Sequence, residues 1–375
     1  MPDIERELRT ATSDGLFPLV SYAIEFDSTA NVTRVVLLTT NIKDLPLGHS
    51  IFREVAGEDY NLGRHFPIAL LLGLEYENTH IFRTHQFELA GQIDPRIIGR
   101  EAQFEGPALY QSKGFALVDI TGFSILQSSD QLAYLISLEN ALESSIRRCR
   151  PLFNSLNVEP TFRRASTGDG YYFWHSDIGG NADVATFLVL VCTMGFVESR
   201  RLLGGFGMRL KGAFTVGSAF TFSFRTEEAS VQQNAIGPAT NELARLISAA
   251  KPSQVLIKDF KKADESGNVT LTPSVLAAET VSLLHQEGLG SSALTFDPPS
   301  VNNLPPLRII DKHGMIHHCW NLVGEIQKTL ATDEERNLSD QQRAQYQQSG
   351  GWPQRIGLRT DPAQEIADVR FKTDI

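Results

Sequence analysis

Two aspartates stand where a carboxylate can do chemistry. Asp119 closes the apolar part of Ala116–Ser124, read ALVDITGFS, and a Thr121-Gly122-Phe123 turn follows at once. Asp169 sits in Ser166-Thr167-Gly168-Asp169-Gly170, between an extended run from Val158 to Ala165 and another from Tyr171 to His175. Glycines flanking an acid between two such runs spell a β-hairpin. One acid at a strand end serves equally well as a strand cap. Two of them, at the ends of neighbouring strands, can share a pair of divalent ions. Such a pair activates an attacking hydroxyl and neutralises a leaving pyrophosphate. The backbone N–H groups of the 121–123 turn can then face phosphate oxygens.

The elements that must position these groups follow from periodicity. Leu135, Leu138, Leu142, Ile146 and Cys149, at steps of three and four, predict a helix after the Asp119 turn. Val184–Val197 reads as a buried helix, too short an apolar run to span a bilayer. Arg209–Val216 and Ser218–Phe224 alternate as a strand pair around Gly217, and Val255–Ile257 as a short buried strand. Pro238–Ala250 predicts a helix with Leu243, Leu246 and Ile247 on its buried side. Asn241 and Arg245 are four apart on it, so they share a face, and arginine offers a forked donor for phosphate. Arg308–Asn321 reads as strand, turn at Lys312-His313-Gly314, and return strand.

Residues 113–328 therefore form an α+β pattern, with helices gathered on one face of a mostly antiparallel sheet. Residues 1–112 make an accessory α+β region. Leu19–Phe26 and Val32–Thr40 are strands there, Phe66–Leu74 is an apolar run of either type, and Glu77–Arg83 runs from loop into strand. His65, His80 and His85 lack the spacing of a zinc site. Residues 329–375 are a polar extension, read as an exposed helix and a solvated arm.

Composition bounds the rest. A chain of 375 residues, 42% hydrophobic and 21% charged with a net charge of -10, is an ordinary globular protein. The acidic balance excludes a nucleic-acid groove held by charge but not a nucleotide, whose phosphates are met locally. The 3 cysteines, Cys149, Cys192 and Cys319, have no ligand spacing and read as buried thiols of a reducing compartment. The polar start MPDIERELRT is no signal peptide, so a cytoplasmic protein without a membrane partner is expected.

Asp119-Ile120-Thr121-Gly122-Phe123 followed by Gly168-Asp169 resembles the metal-binding pair of the class III nucleotidyl cyclases. The segment Asn234-Ala235-Ile236-Gly237-Pro238-Ala239-Thr240-Asn241, with Arg245, is similar to the family's base-reading, ribose and triphosphate segment. The resemblance covers roughly 113–328. It implies a ferredoxin-like, palm-type catalytic domain that turns a nucleoside triphosphate into its 3′,5′-cyclic monophosphate. Asp119, Asp169 and the Ile120 carbonyl would hold two Mg²⁺ or Mn²⁺ ions, and Thr121, Gly122 and Phe123 would line the phosphates. Asn241 would orient the ribose, while Arg245 and Lys312 would meet the triphosphate. It also implies a head-to-tail homodimer, each site taking its acids from one copy and the remaining groups from the other. The GGDEF-like signature of a diguanylate cyclase is absent, since Phe206-Gly207 follows Gly204-Gly205.

The base-reading positions depart from the purine pattern. Ala165 stands where adenylate cyclases of the family have lysine and guanylate cyclases glutamate, and Asn234 stands where adenine-specific members have aspartate. Arg163, Ala165, Thr167 and Asp169 alternate onto one strand face, so the small Ala165 leaves room for Arg163 to reach a one-ring base. Leu117, on the face of Asp119, would pack on that ring. The combination is similar to the bacterial pyrimidine cyclases of the Pycsar anti-phage system. A donor-only arginine suits uracil O4, so UTP is the expected substrate. An adenylate cyclase and a non-catalytic nucleotide sensor are the alternatives.

Overall fold

The computed structural model describes residues 19–40, 64–65, 82–93, 108–202, 207–225, 231–264, 267–286, 293–297, 307–311, 313–328, 352–358 and 369–370, with residues 6, 7, 11, 339 and 341. The Phe66–Leu74 run, His80, Lys312 and nearly all of the polar stretch after Thr332 lie outside them. The chain groups into two compact units, Met1–Lys113 with Gly217–Pro238, and Gly114–Val216 with Ala239–Ile375.

In the first unit, alternating β-branched and apolar residues build β1 (Leu19–Asp27), β2 (Val32–Thr40), β3 (Arg64–His65) and β4 (Phe82–Ala90), in the order β3-β1-β2-β4. Asp27 turns the β1–β2 hairpin by accepting the Thr29 and Ala30 amides at 2.8 and 3.1 Å. Val35, Leu37, Leu89 and Tyr22 close a small core. His85 meets Glu7 at 3.0 Å, and the described residues hold no group of three or more His, Cys, Asp or Glu side chains placed to share a metal ion.

The second unit is built on the part of β5 (Ala108–Ile120) from Gly114 on, a 3-10 turn at Phe123–Ile125, α1 (Ser128–Arg148), α2 (Arg150–Ser155), β6 (Phe162–Ser166), β7 (Gly170–His175), α3 (Gly180–Leu202) and the part of β8 (Leu210–Arg225) up to Val216. These strands lie in the order β8-β5-β7-β6, with β5–β7 and β6–β7 antiparallel. In sequence that is fourth, first, third, second, connected β-α-β-β-α-β: a ferredoxin-like sheet. Its faces are sorted by strand period. Ala116, Val118, Ile120 and Phe173 enter one core with Leu138 and Leu142 of α1 and Val184, Phe187 and Leu188 of α3. Leu117, Asp119, Ala165 and Tyr172 are thereby turned to the opposite face.

Helix α3 extends beyond the apolar run expected of it. Its span Gly180–Glu198 is long and apolar enough to cross a bilayer, but 83% of the most apolar window is buried in protein, as a core helix requires. Its first turn holds the middle of β5. Asp183, 1% exposed, accepts the Gly114 amide at 2.6 Å through Oδ1 and pairs with Lys262 through Oδ2. The buried carboxylate is thus fully matched, the condition under which such a charge is tolerated.

One expected hairpin is overturned. Arg209–Val216 and Ser218–Phe224 are not paired around Gly217, because β8 runs straight through it to Arg225. Its partner is β9 (Val231–Ile236), with Phe220 opposite Ile236 and Phe222 opposite Asn234. After it come α4 (Pro238–Ala249), β10 (Val255–Lys258), a ribbon of β11 (Lys262–Ala263) and β12 (Val269–Leu271), α5 (Pro273–Gln286), β13 (Ala293–Phe296), β14 (Leu307–Ile310) and β15 (Ile316–Lys328). The tail is not wholly a solvated arm. β16 (Trp352–Ile356) pairs with β15, β17 (Val369–Arg370) pairs with β14, and Ile356 is buried in the core.

Candidate functional site

The structure brings the two aspartates together. Asp119, next to last in β5, lies opposite Gly170, the first residue of β7, and the Ile120 amide donates to the Asp169 carbonyl at 2.9 Å. Gly170 permits this approach, since a Cβ there would land on the Val118 carbonyl. Burial, and then the charge of Asp169, push the Asp119 carboxyl up from 3.8 to about 6, while Lys211 pulls against them. The Lys211 ammonium lies 3.9 Å from Asp119 Oδ2. Thr167 Oγ1 donates to Asp169 Oδ1 at 3.3 Å, which holds the second acid in its turn.

The turn after Asp119 is only partly free. The Ile120 and Thr121 amides are taken, the latter by the Arg209 carbonyl at 2.9 Å. Gly122, at φ 70, bends the chain into the 3-10 turn and leaves its own amide and that of Phe123 bonded to no described group. The Thr121 hydroxyl is buried without a hydrogen-bond partner. Paired carboxylates, the charge of Asp169 helping to raise the pKa of Asp119, with one ammonium nearby and an orphaned hydroxyl beside them, suit hard divalent cations with oxygen ligands. Ile120 could add only its carbonyl, because its side chain is in the core.

On the same face, Leu117 lies opposite Tyr172, which lies opposite Ala165, and Arg163 lies opposite Trp174. Leu117, Ala165 and Arg163 are 3, 4 and 2% exposed, so this part of the face is covered. The Tyr172 hydroxyl donates to the Thr240 carbonyl at 3.3 Å, tying β7 to the first turn of α4.

Helix α4 carries Asn241, exposed, and Arg245 one turn later. Arg245 Nε is 3.2 Å from Asp311 Oδ2, in the turn between β14 and β15. His317 Nε2 is 3.4 Å from the same oxygen, and its Nδ1 lies 2.9 Å from Glu242 Oε2, which Lys258 also meets at 3.0 Å. Burial works against the charge of Asp311, but the amides of Met315 and His313, then His317 and Arg245, hold its carboxyl below the usual range. Among the described residues, no hydrogen bond or ion pair joins Asn241 or Arg245 to either site aspartate. Asn234 belongs to the first unit, on β9.

Lys211, Tyr172, Asp311 and His317 were not anticipated. The strand of Lys211 had a readable signal in its alternation, but its place beside Asp119, like that of Asp311 and His317 beside Arg245, comes only through tertiary packing. No protein-family model matches the chain, and no curated protein matches its sequence. Solved structures overlap it loosely. The guanylate cyclase domain of RhGC from Catenaria anguillulae, in complex with GTP, is 13% identical, covering 57% of this chain and 97% of that one at a TM-score of 0.35. The adenylyl cyclase CyaB from P. aeruginosa is 12% identical over 60% and 98%, at 0.33. An adenylate cyclase from Trypanosoma brucei is 14% identical over 56% and 89%, at 0.28. The ferredoxin-like assignment rests on this chain's own strand order.

Proposed function

We propose that this chain is a nucleotidyl cyclase that converts UTP to its 3′,5′-cyclic monophosphate and pyrophosphate. The observation that carries the reading is the paired Asp119 and Asp169 at adjoining strand ends, with the Asp119 carboxyl raised to about 6 by burial and by its neighbour. Asp119, Asp169 and the Ile120 carbonyl would hold two Mg²⁺ or Mn²⁺ ions. When bound, these supply Lewis-acid activation of the ribose 3′-hydroxyl and neutralise the departing pyrophosphate.

The chain's own residues do the remaining work. The Gly122 and Phe123 amides face phosphate oxygens, as amides at the mouth of a helical turn can, and Thr121 adds its hydroxyl. Asn241 orients the ribose, and Arg245, with Lys312, stabilises charge on the transferring phosphoryl group. Thr167 holds Asp169. Among the described residues α4 makes no polar contact with Asp119 or Asp169 of its own chain, which supports a reading in which a second copy supplies Asn241, Arg245 and Asn234, giving a homodimer with sites at its interface. Arg163, two strand positions from the small Ala165, donates to uracil O4 while Leu117 packs on the ring, which requires that the cover over this part of the face be displaced when the nucleotide binds. The cyclic product acts as a second messenger in anti-phage defence, inside the cytoplasm.

The test is to offer each of the four triphosphates with Mn²⁺ and identify the product by mass. Cyclic UMP is expected, and Asp119→Ala or Asp169→Ala should lower turnover on the order of a thousandfold or more. Cyclic AMP as main product would refute the pyrimidine reading. Nucleotide binding without pyrophosphate release would leave a sensor instead of an enzyme.

A further inference from the structure

Resting on the reading in which Arg245 meets the phosphates, we propose that Asp311 positions Arg245 and that His317 holds Asp311 in place. Asp311 opens the turn between β14 and β15, and its Oδ1 is fixed there by the His313 and Met315 amides at 2.8 and 3.0 Å. Its other oxygen is turned to helix α4. Oδ2 lies 3.2 Å from Arg245 Nε and 3.4 Å from His317 Nε2, yet neither Oδ2 nor His317 Nε2 forms an aligned hydrogen bond. Both side chains are buried, at 6 and 3% exposure. Two buried polar atoms left without aligned partners are costly and call for a use.

Placing a guanidinium is such a use. The contact is through Nε, and the two terminal nitrogens of Arg245 make no hydrogen bond or ion pair with any described residue. Those two form the edge that grips a phosphate in bidentate fashion. The side chain is 34% exposed, so that edge can reach solvent and ligand. The helix is held at a second point on the same face, because Glu242 is gripped by His317 and Lys258. Asp311 therefore fixes the inner edge of the guanidinium and leaves the outer edge for the triphosphate.

Asp311→Asn keeps the shape and the Oδ1 acceptor but removes the charge that faces Arg245. With UTP and Mn²⁺, kcat should fall about 100-fold, the penalty of a misplaced group, while KM moves less than about threefold. The melting temperature should stay at the wild-type value. In an Arg245→Ala background the same change should alter kcat by less than about twofold, since it acts through that arginine. Wild-type kcat in Asp311→Asn, or losses that multiply in the double variant, would overturn the assignment. Full turnover in Arg245→Ala alone would instead overturn the phosphate role of Arg245, and Asp311 with it. Should Asp311→Asn melt early, the same cycle run with His317→Gln decides the matter by the same two outcomes.

Discussion

Replacing Asp119 by asparagine should make the metal-free protein more stable, although it removes a central acid. The carboxyl is displaced from 3.8 to about 6, first by burial and then by Asp169. A raised carboxyl binds its proton more tightly in the folded than in the unfolded chain. Its contribution is therefore most favourable below 3.8 and is lost as pH climbs through about 6. Above that, the folded protein bears the whole penalty. At 1.36 kcal/mol per pH unit the displacement bounds the penalty at about 3 kcal/mol. The side chain is 17% exposed and 3.9 Å from Lys211, so solvent screening lowers the working figure to about 1–2 kcal/mol. Denaturant melts in chelator should show Asp119→Asn more stable by that amount at about pH 8 and equal to wild type at about pH 4. Adding Mn²⁺ should raise the wild type and leave the variant unmoved, because binding to the folded state alone stabilises it. A variant less stable than wild type at the higher pH would show that the Lys211 contact outweighs desolvation and repulsion. That result would refute the reasoning.

Mixing Asp119→Ala with Arg245→Ala protein, each strongly impaired alone, should restore part of the activity, since a heterodimer holds one site with every group intact. No recovery despite demonstrated subunit exchange would place the site within one chain. Arg163→Ala should lose the preference for UTP in a four-way triphosphate competition, and an unchanged preference would remove Arg163 from base reading. Gly170→Ala should cost about 2 kcal/mol or more in denaturant melts, since its Cβ meets the Val118 carbonyl and the strands must part. Wild-type stability would mean the close approach of β5 and β7 is not needed.

How much of this was legible in the sequence varies by residue, for physical reasons. Asp119, closing an apolar run, and Asp169, between two glycines in a hairpin turn, were legible because both patterns are local. The one-face placement of Arg163 and Ala165 followed from the strand period alone. Gly217 misled because glycine is a common breaker, yet here the backbone stays extended through it. The β-strand at Trp352–Ile356 was hidden by polar neighbours, since the partner that gives it shelter, β15, lies far away in sequence. Asp311 and His317 could not be read at all. Their roles depend on the distance from a turn to a helix some 70 residues earlier, roughly the sequence separation that Glu242 and His317 span.

The grip of Asp183 on Gly114 makes β5 an address system. Counting from that anchored amide, the fifth residue onward is the acid, and its flanking positions, Val118 and Ile120, point into the core. A strand that slipped by one place would exchange every side chain between faces. Asp119 would then enter the apolar layer beneath α1 and α3, and a valine or isoleucine would face the other acid. A single-residue deletion between Gly114 and Asp119 should therefore be far more damaging than any one substitution there. Change before the anchor leaves that count intact.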